Sequence, residues 1–236
     1  KSELGKAKDY YEKAYKHYSD KYGQDDIKSL SINENISDIC MLNNDYVNAI
    51  PIYENGLRIK TKQFGENSPD IAELHNKLAS AFFETGKIED SRIHYEKALQ
   101  ILQPYRTTEK VKTDALFNNL GIYYKGTGNY QKSLEYFDLS LQLKGEVYGP
   151  DNIESANVMN NIGTTYDKLG NYDKAMDYFD KSESLIKKQF GDSALAISDV
   201  YINKGNLYNR QMQNDIAIDY YNKALLIKTK YFSSDN

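Results

Sequence analysis

The chain has 236 residues, 40% of them hydrophobic and 27% charged, with a net charge of −4 and one cysteine; its mean hydropathy is −0.73 and its pI about 5.5. No apolar run approaches the ~18 residues of a membrane span, and lysines scattered among aspartates and glutamates form no basic stripe, so neither a membrane nor a nucleic acid is expected as a partner. The single Cys40 forms no internal disulfide, which fits a reducing compartment and makes the cytoplasm the expected location.

The first predicted element is one helix over about 3–20. The rest of the chain is periodic. The stretch "FNNLGIYYKGTGNY" at 117–130 returns 42 residues later as "MNNIGTTYDKLGNY", and a fixed period of this size marks an array of repeated supersecondary units. Five helix pairs, each a helix A followed by an antiparallel helix B, are expected to start near residues 26, 68, 108, 151 and 193. With the lone first helix, which reads as a B helix, this makes about eleven helices in an all-α chain. The units run over 1–22, 23–64, 65–106, 107–148, 149–190 and 191–232.

Two sets of helix breakers set this register. Gly86, Gly128 and Gly170 recur at the turn from A to B, with Asn44 and Met212 in the same slot. Gly23, Gly65, Gly149 and Gly191 recur at the turn from B to A, with Thr107 replacing glycine once. Glycine ends helices there because it tolerates positive φ. Between breakers the apolar spacing is helical, as in Phe117, Leu120, Gly121 and Tyr124, then Tyr130, Leu134, Phe137 and Leu141. Small residues fall in rows where helices must approach closely: Ala49, Ser91, Ser133, Ala175 and Ala217 in one, Gly56, Ala98, Ser140, Ser182 and Ala224 in another, and Gly121, Gly163 and Gly205 on helix A. The loop "QPYRTTEKVKTDA" and the turn "MQND" depart from the pattern and are expected to bend differently.

The series Phe117, Leu120-Gly121, Tyr124, Gly128, Ser133, Phe137 and Ser140 resembles the tetratricopeptide repeat. The 42-residue period, with connections such as "FGENSPDIA", resembles the longer subclass found in kinesin light chains and many bacterial proteins. The resemblance covers the whole chain and implies a right-handed superhelical solenoid of antiparallel helix pairs. It also implies a non-catalytic protein-protein interaction module that takes a peptide or partner protein in its concave groove. The ends, beginning at Lys1 and closing on "YFSSDN", read as cuts through a longer array, with exposed apolar ends and a tendency to self-associate end to end.

On helix A of the middle unit, the face opposite the core carries Ala115, Asn118, Asn119, Ile122, Lys125 and Gly126. The same offsets give a candidate binding set of Asn35, Asn76, Lys77, Asn118, Asn119, Lys125, Asn157, Asn160, Asn161, Asn203, Asn206 and Arg210. An amide both donates and accepts, so a row of asparagines can hold an extended peptide backbone. It can equally hydrogen-bond neighbouring helices, and both readings stay open. The groove charges Glu34, Asp38, Glu73, Lys77 and Glu84 make the first half acidic, so a basic segment is expected there. The lysine positions of the chaperone-type carboxylate clamp hold Glu34, Asn76, Asn118, Asn160 and Ile202, which argues against that clamp.

No catalytic, metal or cofactor constellation is read. "GIYYKGTG" lacks the Lys-Ser or Lys-Thr of a phosphate loop, and His17, His75 and His94 lack metal-ligand spacing. His75 is expected on the surface and Cys40 in the core. The alternative to a free-standing adaptor is a regulatory arm of a larger effector, such as those fused to CHAT-type proteases, kinases or DNA-binding domains, with a peptide-pheromone receptor as a variant.

Overall fold

A computed structural model describes residues 3–192 and 194–233; Lys1, Ser2, Ser193 and 234–236 fall outside it, and with them part of the expectation for the chain ends. Among the described residues there are eleven α-helices and no strand. The B helices are α1 (Glu3–Tyr22), α3 (Tyr46–Phe64), α5 (Ile88–Leu102), α7 (Tyr130–Tyr148), α9 (Tyr172–Phe190) and α11 (Asn214–Ser233). The A helices are α2 (Ile27–Leu42), α4 (Pro69–Glu84), α6 (Lys110–Gly126), α8 (Glu154–Lys168) and α10 (Leu195–Arg210). The chain forms two compact units, residues 1–119 and 120–236, and the boundary lies inside α6.

The A-to-B turn is the same five times. A backbone N–H just past the turn reaches back to close helix A, from Asp45 to Cys40, Lys87 to Phe82, Asn129 to Tyr124, Asn171 to Tyr166 and Gln213 to Tyr208, at 2.8–2.9 Å. The residue before each donor has positive φ. That residue is glycine in three units, Asn44 (φ 58°) in one and Met212 (φ 61°) in the last. The "MQND" turn therefore does not bend differently, contrary to expectation. In "GNY" the asparagine then caps helix B, Asn129 accepting from the Lys132 N–H and Asn171 from the Lys174 N–H.

The other departure does alter the structure. Pro104 cannot continue a helix, so α5 stops at Leu102 and a 3-10 turn over Gln103–Tyr105 replaces the last turn seen in α3, α7 and α9. Tyr105 closes this corner by donating to the Asn67 carbonyl at 3.3 Å. Helix α8 begins at Glu154, three residues later than expected, with Asn152 accepting from the Ser155 N–H at 2.9 Å.

The rows of small residues are fully inside. Ala49, Ser91, Ser133, Ala98, Ser140 and Ser182 are 0% exposed. Two of the serines in these slots bond a carbonyl, Ser133 donating to Gly121 O and Ser182 to Ala156 O, both at 2.8 Å, whereas the Ser91 hydroxyl is buried without a partner. A Cβ on Gly121, Gly163 or Gly205 would lie 2.5–2.6 Å from the ring of Phe137, Phe179 or Tyr221, so the A-helix glycines exist for the B-helix aromatics. In the second unit, each A helix also stacks a tyrosine on its B helix: Tyr124 on Tyr136, Tyr166 on Tyr178 and Tyr208 on Tyr220, with centroids 5.5–5.7 Å apart. In the first unit the matching slots hold Cys40 with Ile52 and Phe82 with His94.

Candidate functional site

In the first unit, the polar face of the A helices begins at Asp38. Its carboxylate accepts from the Tyr53 hydroxyl and from Lys77 Nζ at 2.9 Å. Burial pulls the Lys77 ammonium down, but Asp38, Glu73 and Glu34 outweigh it and leave the pKa raised. Glu34 pairs with Lys60 of α3 at 2.7 Å, and Glu73 lies 3.5 Å from Lys77 and 3.8 Å from Lys112. The acidic half expected from the A helices alone is thus largely answered within the fold, partly by a B-helix lysine, and the case for a basic segment there loses its footing. Beside these ion pairs lies a shallow hollow of about 420 Å³, with Met41, Leu42 and Tyr53 as its apolar floor and Asp38, Lys77, Ser80 and Asn119 as its polar rim.

The asparagines are brought together across consecutive A helices. Asn119 of α6 donates to Asn76 of α4 at 3.1 Å, and Asn203 of α10 donates to Asn160 of α8 at 3.0 Å. Of the two readings left open for these four, the bond to a neighbouring helix is made. Asn76 is buried, whereas Asn119, Asn160 and Asn203 are half-buried. Oδ1 of Asn118 is buried without a partner. Asn35 and Asn157 are exposed, and exposed Asn206 accepts from the Tyr221 hydroxyl at 2.8 Å.

In the second unit, Lys125 of α6 donates to Asn161 Oδ1 at 2.9 Å and to Thr164 Oγ1 at 3.1 Å, both on α8. Burial, with like-charge repulsion from Lys168, lowers its pKa to about 8. Arg210 lies 3.2 Å from Asp167, whose other oxygen is buried without a partner. Burial raises the Asp167 pKa against the opposing pull of Arg210 and Lys168.

Two polar groups differ from or escape the sequence reading. His75 is buried, not on the surface. It occupies the slot of Phe117 one repeat earlier, and its Nδ1 lies 2.9 Å from His94 Nδ1. Lys204 is 2% exposed in the slot that Ile36, Leu78, Leu120 and Ile162 fill in other units. It reaches Asp180 at 2.5 Å and also pairs with Glu183. The 42-residue alignment itself held that signal, one charge in an aliphatic column. Cys40 is buried, as expected.

Comparison with known proteins finds the same kind of repeat. A tetratricopeptide repeat family profile matches residues 28–103 and 112–188, and a second of the same description matches 198–231. Tetratricopeptide repeat protein 23 of Homo sapiens is 28% identical over 95 residues, 40% of this chain and 21% of that protein. The match thus spans about a fifth of the relative. Among solved structures, BtubC (BKLC) from P. vanneervenii aligns with a TM-score of 0.72 at 18% identity, over 98% of this chain and 93% of that one. A kinesin-light-chain-like protein from Podosopora anserina aligns at 0.67 and 14% identity, over 86% and 96%. A signal transduction ATPase with a tetratricopeptide repeat sensor from Pyrococcus horikoshii aligns at 0.70 and 17% identity, over 88% of this chain and 31% of that one. At these identities the likeness is one of fold.

Proposed function

The chain belongs to the tetratricopeptide repeat family, and from that premise we propose that it is a non-catalytic module binding an extended peptide or partner protein on the polar face of its A helices. The observation that carries this reading is the hollow over Met41, Leu42 and Tyr53, an apolar floor rimmed by Asp38, Lys77, Ser80 and Asn119. Such a hollow suits one apolar side chain of a segment whose backbone meets polar groups on either side. The half-buried amides and cations of the second unit offer the same kind of surface along α8 and α10. The repeat boundaries read from the sequence are proposed as the units of this binding surface.

A random dodecapeptide display library selected against the 236-residue chain tests the reading. Peptides that bind, with some losing about tenfold in affinity to Leu42→Arg while the helical circular dichroism is unchanged, support it. Leu42 is 67% exposed, so the substitution leaves the core alone. Failure to recover any binder sinks the reading.

A second use of the same surface is as the sensing arm of a larger protein, favoured by the likeness to an ATPase that carries a repeat sensor. End-to-end association is proposed from the exposed Leu225 (63%) and Leu226 (71%) of α11 and Tyr10 (73%) of α1; a sedimentation series over concentration checks it. No described helix is long and apolar enough to cross a membrane. A reducing, cytoplasmic setting is proposed on the single buried Cys40.

A further inference from the structure

Four cations on the A helices lie against carboxylates. Lys77 reaches Asp38 at 2.9 Å, Lys112 reaches Asp70 at 2.5 Å, Lys204 reaches Asp180 at 2.5 Å and Arg210 reaches Asp167 at 3.2 Å. Lys125 is different. It is half-buried, its hydrogen-bond acceptors are the neutral Asn161 and Thr164, and its ammonium stands 5.9 Å from the centre of the Phe137 ring. Among the described residues no carboxylate comes within ion-pair distance of it. Asp167, which holds the same register position one repeat later, is committed to Arg210. The nearby charge is instead a second cation, exposed Lys168.

A half-buried charge held only by neutral dipoles has lost hydration without gaining a counter-charge. An arriving carboxylate would supply that charge at a point already fixed by two hydrogen bonds. The Thr164 hydroxyl donates to the Asn161 carbonyl at 2.8 Å, so its lone pairs are turned to the lysine. With Asn161 Oδ1 occupied by Lys125, the Nδ2 donors of the same amide are left for a second bond to the anion.

We infer that Lys125, with Asn161 beside it and Lys168 at the rim, forms a docking point for an aspartate or glutamate side chain of the bound partner. The inference rests on the reading that the A-helix face takes the partner, and it names the partner's chemistry as acidic at this place. A carboxylate fits better than a phosphate, because a dianion calls for more charged donors than one half-buried lysine, and Arg210, a guanidinium on this face, is already paired. The docking point is also distinct from the chaperone-type clamp, whose lysine positions hold Glu34, Asn76, Asn118, Asn160 and Ile202. Lys125 acts in charge recognition, where hydrogen bonding alone would make it a brace between α6 and α8.

The test uses the dodecapeptides recovered from the display library, synthesised with a fluorescent label and titrated against the whole chain by anisotropy. The recovered peptides should be enriched in Asp and Glu. Changing the critical acid to its amide should weaken binding about tenfold to the wild-type chain and leave binding to Lys125→Met unchanged. Lys168→Gln, on an exposed residue, should lose about threefold and serves if Lys125→Met does not fold. Binders without acidic enrichment, or an equal loss from the amide swap in both chains, would overturn the docking point while leaving the interaction reading standing. Recovery of no binder at all defeats the interaction reading itself. A phosphoserine peptide that binds more than tenfold tighter than its glutamate counterpart through Lys125 would overturn the assignment to a carboxylate.

Discussion

The side chain of Asn203 donates to Oδ1 of Asn160 at 3.0 Å, and the two residues are 43 positions apart, as are Asn119 and Asn76. One residue beyond the repeat length brings an amide of α6 onto one of α4, and an amide of α10 onto one of α8. A half-buried neutral hydrogen bond of this kind contributes about 1 kcal/mol. Asn203→Ala should therefore lower stability by about that amount, and Asn160→Ala by a similar amount. The double variant should cost less than the sum, because the two changes remove one bond. Denaturant midpoints would show this, with exposed Asn35→Ala as a near-silent control; strictly additive losses would mean the amides act separately.

His75 and His94 make stability depend on pH. Burial lowers the His75 pKa to about 4, with His94 and Lys97 adding to it, and burial and Lys97 lower that of His94 against the pull of Asp90. Between the unfolded value near 6.5 and about 4, the unfolded chain takes up a proton that the folded chain refuses. The contribution of the neutral pair is thus full above about 6.5 and is lost as pH falls toward 4. By pH 4.5 the stability lost through His75 is about 2.5 kcal/mol. His75→Phe, which restores the residue of the Phe117 slot, should flatten this part of the profile. An unchanged slope between pH 7 and 5 would remove the histidines from the account.

Lys204 separates packing from charge. Its replacement by alanine leaves a cavity in an aliphatic column, for about 3 kcal/mol. Leucine refills a column occupied elsewhere by Ile162 and Leu120, while Glu183 keeps Lys187 at 2.8 Å and the Tyr201 hydroxyl at 3.1 Å. Lys204→Leu should stay within about 1 kcal/mol of wild type. If leucine costs as much as alanine in thermal melts, the ion cluster contributes more than burial does.

Met212 has φ 61° and is 87% exposed, in a slot that is glycine in three repeats. An L-residue there has a crowded Cβ, partly offset because glycine adds freedom to the unfolded chain. Met212→Gly should gain about 0.5–1 kcal/mol and raise the melting temperature by about 2 °C. A lower melting temperature would show that the methionine side chain packs in a way its exposure does not suggest.

Helix number, turn positions and the rows of small residues are legible in the sequence because each is enforced by backbone geometry that repeats, so one unit predicts the next. Asn44 and Met212 can be placed at positive φ with no glycine to mark them, from register alone. The partners of polar side chains are not legible in the same way. Lys60 reaches Glu34 from a different helix, and Lys125 spans from α6 to α8; neither follows from the period of a single helix. His75 is misplaced by sequence because a histidine in an aromatic slot reads as polar until its partner, His94 of the next helix, is known. Lys204 escapes a reading of the polar face because it is an exception within the apolar column.

The tyrosine stacks have a consequence for observing this molecule. The chain contains no tryptophan and has 22 tyrosines against 8 phenylalanines, so its near-ultraviolet signal comes mainly from tyrosine. The three face-to-face pairs, Tyr124 with Tyr136, Tyr166 with Tyr178 and Tyr208 with Tyr220, lie close enough for their transition dipoles to couple, and all three belong to residues 120–236. Their coupled circular dichroism, with that of the tilted pair Tyr18 and Tyr22 of the first half at 5.7 Å, gives a label-free optical signal to which the half carrying Lys125 contributes three stacked pairs, so loss of tertiary packing can be followed apart from the helical signal.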